Sequence, residues 1–379
     1  MLPFTRTKLL PALAAPMLAA VVAGSVAAAE PSHTKPFIER FHSITTIGSA
    51  VPTNGPAKGD QNPYGVAIVP RTVGRLVRGD ILVSNFNNAQ NQQGTGSSIM
   101  EFSRSGKVRV FAIVPQPTST PAVGLTTALA VLRSGYVIVG SLPAPGGMGA
   151  NATAGALTIL NSHGKVVKKL TGGDINGPWD MTAVDSSDGK HVTLFVTNVL
   201  NGTVAGGGMD VNKGTVIRIR LRIRAGHKPE VTSNRVIADG FTEHTDPNAL
   251  VVGPTGVGLG SNGVLYVADS NGNRIAAVPH AMTRTSVLGN GGKTVSKDNN
   301  LNDPLGLAIA PNGHIVTANG GNGQIVETTP GGHQVAARTL VANGAGDLFG
   351  LAIASGGHGL YFVNDAGSGP AANSLQLLH

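Results

Sequence analysis

Pro304-Leu305-Gly306-Leu307-Ala308-Ile309-Ala310-Pro311-Asn312-Gly313-His314-Ile315-Val316-Thr317-Ala318-Asn319 is a phrase that recurs along the chain. Residues 254–259 followed by 261–269 carry it again, as do 63–68 with 80–85 and 348–353 with 359–364. Looser copies begin at Gly124-Leu125 and at Pro178-Trp179-Asp180. Self-similarity at a period of roughly 40 to 60 residues, built from short strands, predicts a propeller or solenoid.

Each copy opens on a small, apolar segment such as Gly306-Leu307-Ala308-Ile309. A strand apolar on both faces is buried on both sides, which suits the innermost strand of a propeller blade. Asn262-Gly263 and Asn312-Gly313 then supply the strongest short hairpin signal. The second strands follow, at 264–268 and 315–318. Two further strands complete most copies: 98–102 with 108–111, 157–160 with 166–167, and 324–327 with 335–336. Four antiparallel strands make one blade. Units start near residues 62, 123, 176, 252, 302 and 346, so the expected fold is an all-β, six-bladed propeller. The last unit holds three strands, and the lone strand 41–47 is expected to complete it and close the ring, which removes an exposed edge.

Bulk properties agree with this reading. Gly is abundant (53 residues), aromatics make up 4% and charged residues 13%, while 41% of the 379 residues are hydrophobic. That composition suits tight turns between short strands and argues against disorder. Arg6, Lys8, the apolar run 9–28 and Ala27-Ala28-Ala29 read as an export signal over 1–29. The expected mature domain is 30–379, a periplasmic or secreted monomer without stable membrane insertion. The absence of cysteine excludes disulfides, thiolate chemistry and cysteine-bound metals. The formal charge of +8 reads as solubility, because the basic residues are mostly scattered, and no nucleic-acid partner is expected. Arg218, Arg220, Arg222 and Arg224 alternate with apolar residues and share one strand face. They read as edge charges on a half-buried outer strand.

Val264-Leu265-Tyr266-Val267-Ala268-Asp269-Ser270-Asn271-Gly272-Asn273-Arg274-Ile275 resembles the core motif of the NHL-repeat family of six-bladed propellers. The resemblance covers about residue 62 to the C-terminus. It implies the fold and leaves function open, since such propellers include binding modules, lactonases and lyases.

The propeller geometry predicts where a site lies. Starts of first strands and ends of second strands share one rim of the central channel. The second strands end in Asn85, Asn198, Asp269, Asn319 and Asn364, with Asp365 beside the last. Convergent oxygen atoms suit calcium or another divalent cation, or hydrogen bonding to a polar ligand. Asn and Asp also commonly cap turns. Tyr64, Trp179 with Asp180, and Phe349 stand at the starts of first strands, where an aromatic ring can stack on a sugar or pack between blades. The amide-rich segment 85–93 leaves the same rim.

Similarity to six-bladed lactonases of the gluconolactonase/senescence-marker type implies a metal held by Glu, Asn and Asp at this rim. Asn198 and Asp269 match that pattern, whereas no Glu stands at a first-strand start. Similarity to streptogramin-type lyases implies a His base, for which His244 and Asp246 are the candidates. Gly258-Leu259-Gly260-Ser261-Asn262-Gly263 spells a dinucleotide fingerprint, but it spans a hairpin with no helix to receive a pyrophosphate. The expectation is an exported module that binds a protein or a polar or carbohydrate ligand at an Asn/Asp-lined channel mouth. The alternative is a calcium-type, metal-dependent, lactonase-like hydrolase or lyase using the same rim.

Overall fold

Six antiparallel sheets follow one another along the chain, each beginning with an apolar strand. The computed structural model describes residues 35–116, 122–366 and 371–379, so the segment 1–29 read as an export signal lies outside the described residues. Pro36–His379 pack as one unit. The innermost strands are Gln61–Ile68, Leu125–Val131, Pro178–Asp185, Pro254–Leu259, Pro304–Ile309 and Leu348–Ile353, defining blades 1 to 6. Each packs against the next, and that of blade 6 packs against that of blade 1, so the sheets form a closed ring.

Side-chain size at the axis makes this closure possible. An ideal Cβ on Gly306 would lie 2.2 Å from the Phe349 carbonyl oxygen, and one on Gly350 would lie 2.2 Å from the Tyr64 oxygen. Only glycine permits backbones to approach so closely. Farther out, hairpin turns match their sequence signals. The Asn262 side chain accepts the Val264 N–H at 3.0 Å, and Asn312 does the same for His314 at 3.1 Å. Between blades the facing side chains interdigitate. Ile217, Ile219 and Leu221 of blade 3, for example, pack with Leu157 and Ile159 of blade 2 in one buried cluster.

The first described strand, Ile44–Ser49, pairs antiparallel with Ser374–Leu378 as the outer strand of blade 6. It begins later than the 41–47 reading because Phe41 turns into the core against Phe37, with ring centroids 5.0 Å apart.

Blade 3 departs from the repeat. Its third and fourth strands, Val211–Arg222 and Glu230–Asp246, are long, and a short fifth strand, Leu250–Val252, is added. The arginine-rich strand is paired on both sides, which corrects the expectation of an outer strand. Its charged face turns toward blade 4, where Arg218 donates to the Ala281 carbonyl at 2.6 Å and Arg220 to that of Met282 at 2.8 Å. The buried Arg218 guanidinium and the exposed Arg220 guanidinium thus both bridge blades.

Candidate functional site

Register fixes the rim. Asn85 lies opposite Pro63, Asn198 opposite Pro178, Asp269 opposite Pro254, Asn319 opposite Pro304 and Asn364 opposite Leu348. The five strand-end residues are therefore equivalent in the fold. Their side chains do not line the mouth, however, because they are buried and bonded locally. Asn85 Nδ2 donates to the Ala50 carbonyl at 2.8 Å and to Ser98 Oγ at 3.0 Å. Asn198 Oδ1 accepts the Asn176 N–H at 3.1 Å, and Asn364 Oδ1 that of Ala366 at 2.8 Å. Asn319 donates to the Asn300 carbonyl at 2.7 Å. Asp269 pairs with Arg274 at 2.7 Å. Strand ends abut connecting loops, and these short polar side chains satisfy the loop backbone first.

The mouth itself is a cavity of about 490 Å³. Its floor comes from the second residue of the repeated phrase: Tyr64, Trp179, Leu305 and Phe349 line it. Tyr64 stacks between Phe86, at 4.6 Å, and Phe349, at 4.1 Å, and meets Trp179 edge-on at 5.9 Å. With both ring faces covered, Tyr64 offers the cavity its edge and hydroxyl. Trp179, Phe349, Leu305, Val251 and Val252 add apolar surface.

Polar walls rise around this floor. Asn62 and Asp303 each stand just before the proline of an inner strand, at φ of 59° and 53°. Positive φ is unusual for residues other than glycine. Their backbones are held by side chains from elsewhere, since Asn373 Oδ1 accepts the Asn62 N–H at 2.6 Å and Asn273 Oδ1 that of Asp303 at 3.0 Å. Asp365 follows the second strand of blade 6 and lines the cavity. Asn87, Asn91 and Gln93 come from the amide-rich segment, and Gln93 donates to the Asn248 carbonyl at 2.6 Å. That bond ties the blade 1 loop to the blade 3 loop. The long fourth strand of blade 3 ends at Asp246 on the same wall. Among the residues expected at this rim, Tyr64, Trp179, Phe349, Asp246 and Asp365 thus meet here. His244 instead faces Asp210, with Nδ1 2.9 Å from Oδ1.

The carboxyl groups of the wall are perturbed by their setting. Burial pushes Asp365 up to about 8, and the Asp347 charge adds to the effect. Burial also raises Asp303, reinforced by Asp246 and opposed by His244. Tyr64 is raised by burial first, then by Asp365 and Asp303. Each shift has the sign expected when a charge is removed from water or placed near a like charge.

Beneath the floor, the inner strands enclose a channel space of about 400 Å³. Asp180 projects into it from the position where blades 1, 4, 5 and 6 carry Gly65, Gly256, Gly306 and Gly350. Burial pushes its carboxyl up to about 8.

Asn198 and Asp269 do not fit a calcium site: each is committed to a partner in its own blade, and Arg274 neutralises Asp269. Among the described residues no three His, Cys, Asp or Glu side chains converge on a point where a metal could sit.

Residue type alone does not single out Asn62 and Asp303. The available signal was their place directly before Pro63 and Pro304 in the repeated phrase.

Comparison with solved structures agrees on the architecture. The chain is similar to a gluconolactonase from Xanthomonas campestris, at 13% identity and a TM-score of 0.53, with 88% of each chain covered. It is similar to the PQQ-bound aldose sugar dehydrogenase of Streptomyces coelicolor, at 14% identity and a TM-score of 0.54, covering 88% of this chain and 97% of that one. It is also similar to the calcium-binding protein regucalcin from Agrobacterium tumefaciens, at 12% identity and a TM-score of 0.53, covering 89% and 93%. At such identities the likeness establishes the six-bladed propeller fold alone. No protein-family model matches the chain, and no curated protein matches it.

Proposed function

We propose that the protein is a binding propeller that takes one small, polar, ring-shaped molecule of the sugar class into the cavity above Tyr64, Trp179 and Phe349. The observation that carries this reading is the pairing of an aromatic floor with walls of carboxylate and amide groups. A sugar has the complementary shape, with a C–H face for aromatic surface and a hydroxyl edge for oxygen and amide partners. A cavity of about 490 Å³ is within the usual range for small-molecule sites. The relation to NHL repeats rests on the motif around Val264–Ile275 and on the shared fold, and export rests on the composition of 1–29.

Trp179 is the only tryptophan, so its fluorescence reports directly on the cavity. Titration with a panel of neutral monosaccharides and sugar lactones should shift or quench the emission saturably, and Phe349→Ala should weaken the response. An emission spectrum unmoved by every member of the panel overturns the reading.

A lactonase-like hydrolase acting on the same ligand class is the second reading. It is favoured by Asp365, a carboxyl held near 8 at the cavity wall, where it can exchange a proton at neutral pH. Ring opening of a sugar lactone, followed by proton release at constant pH and abolished by Asp365→Asn, would establish it.

A further inference from the structure

The buried and half-buried carboxylates among the described residues fall into two groups. Outside the cavity several are answered by a cation or by clear donors. Glu101 meets Arg109 at 2.8 Å, Asp269 meets Arg274 at 2.7 Å, and Glu327 meets His314 at 2.6 Å. Asp60 accepts the N–H groups of Ser97 and Ser98 at 2.8 and 3.0 Å. Inside the cavity only Asp246 has donors, its Oδ1 accepting the N–H groups of Asn248 and Ala249 at 2.6 and 2.9 Å. Asp246, Asp303 and Asp365 line it, and no Lys, Arg or His is among its described lining residues. The carboxylate oxygens of Asp303 and Asp365 have no protein donor among the described residues, and the charges nearest them include Asp246 and Asp347, which are also negative. This holds in a chain whose net charge is +8, so cations were not scarce.

Unpaired carboxylates in a part-dry cavity are costly, and folds normally neutralise them. Among the described residues the neutralising charge is missing, and the cavity lies beside the acids. We infer that the ligand itself supplies it: the molecule taken into the cavity is an amine-bearing sugar, its ammonium group set against the acidic wall that carries Asp303 and Asp365 and its ring over Trp179 and Phe349. This rests on the sugar-binding reading above and adds the charge of the ligand to it. A bound ammonium favours the ionised carboxyl groups, so binding releases protons and strengthens as pH rises from about 6 toward 8. The groups that face the two acids and shape this dependence are Asp347 beside Asp365, Asp246 and His244 beside Asp303, and the Tyr64 hydroxyl.

The test uses the full chain and Trp179 emission with four probes: glucose, 6-amino-6-deoxyglucose, its N-acetyl derivative, and tetramethylammonium. The amino sugar should bind about tenfold or more tightly than glucose or the acetamide at low salt, with the preference shrinking as salt is added. Asp303→Asn combined with Asp365→Asn should erase the preference, so that the amino sugar, glucose and the acetamide bind alike. Neutralising unpaired acids does not threaten the fold, and a thermal melt of the double variant at or above the wild-type temperature verifies that. An amino sugar that binds no better than glucose overturns the charge inference and leaves the sugar reading standing. Binding of tetramethylammonium without binding of any sugar overturns the sugar reading and with it the ligand class named here. Silence from all four probes overturns both.

Discussion

Asp180 Oδ2 accepts the backbone N–H of Val257 at 3.0 Å, across the junction of blades 3 and 4. The repeated phrase places glycine here in four other blades, so the contact exists only because blade 3 breaks the pattern. One carboxyl group is thereby inserted into a channel lined mainly by apolar strands.

That insertion makes stability depend on pH. Burial raises the Asp180 carboxyl to about 8, while the N–H groups of Met181 and Val257 oppose the shift. The folded value lies above the 3.8 of the free side chain. Stabilisation from this group is therefore complete below about pH 4 and is lost as pH rises toward about 8. Asp180→Asn keeps an oxygen for Val257 and removes the charge. It should melt above the wild type at pH 8, with the difference fading toward pH 4. An offset that is constant across this range would exclude Asp180 as the source.

The axis glycines should be intolerant for a reason unrelated to backbone dihedral angles. Gly350→Ala puts a Cβ 2.2 Å from the Tyr64 oxygen, which neither blade can yield without opening the ring. A loss of about 3 kcal/mol or more is expected in urea denaturation. Gly313→Ala, at a hairpin with φ of 82° and open space around it, should cost about 1 kcal/mol. Equal losses for the two variants would show that packing at the axis is looser than the distances imply.

These glycines also show why the fold was legible from residues alone. Four copies of an apolar phrase with glycine at the same place describe strands that must nearly touch, and a closed ring satisfies them all. The site was legible only in part. Tyr64 and Trp179 could be found because they occupy one position of the phrase, and that position faces the mouth. Asn85, Asn198, Asp269, Asn319 and Asn364 occupy an equally regular position, yet sequence does not distinguish a side chain facing a ligand from one bonding a loop. Asp303 sits one residue outside the strand in a conformation that propensity disfavours, and Asp246 reaches the wall on a strand whose length no repeat announces.

The N-terminal segment should act as a clasp. Glu327 is fully buried and accepts the Ile38 N–H at 2.9 Å as well as bonding His314 and Asn312. Arg338 donates to the carbonyls of Phe41 and His42. Glu327→Ala should cost about 3 kcal/mol, because it leaves buried donors without an acceptor. It should also speed amide exchange in Ile44–Ser49, the strand that follows. Exchange unchanged in that strand, despite a lower melting temperature, would separate the two and sink the clasp.

Paired and unpaired carboxylates should respond to mutation with opposite signs. Asp269→Ala strips the partner from Arg274, whose side chain is only 15% exposed, and should destabilise by about 3 kcal/mol. Calcium should not restore the loss, because the Asp269 carboxylate serves Arg274 and the Gly272 N–H rather than a vacant coordination sphere. Asp303→Asn removes a charge that burial and Asp246 both disfavour, and should raise the melting temperature at pH 7 and have little effect near pH 4. Both variants can be compared in one set of melts with and without added calcium. Rescue of Asp269→Ala by the metal, or destabilisation by Asp303→Asn, would mean that the division between structural and ligand-facing acids has been drawn in the wrong place.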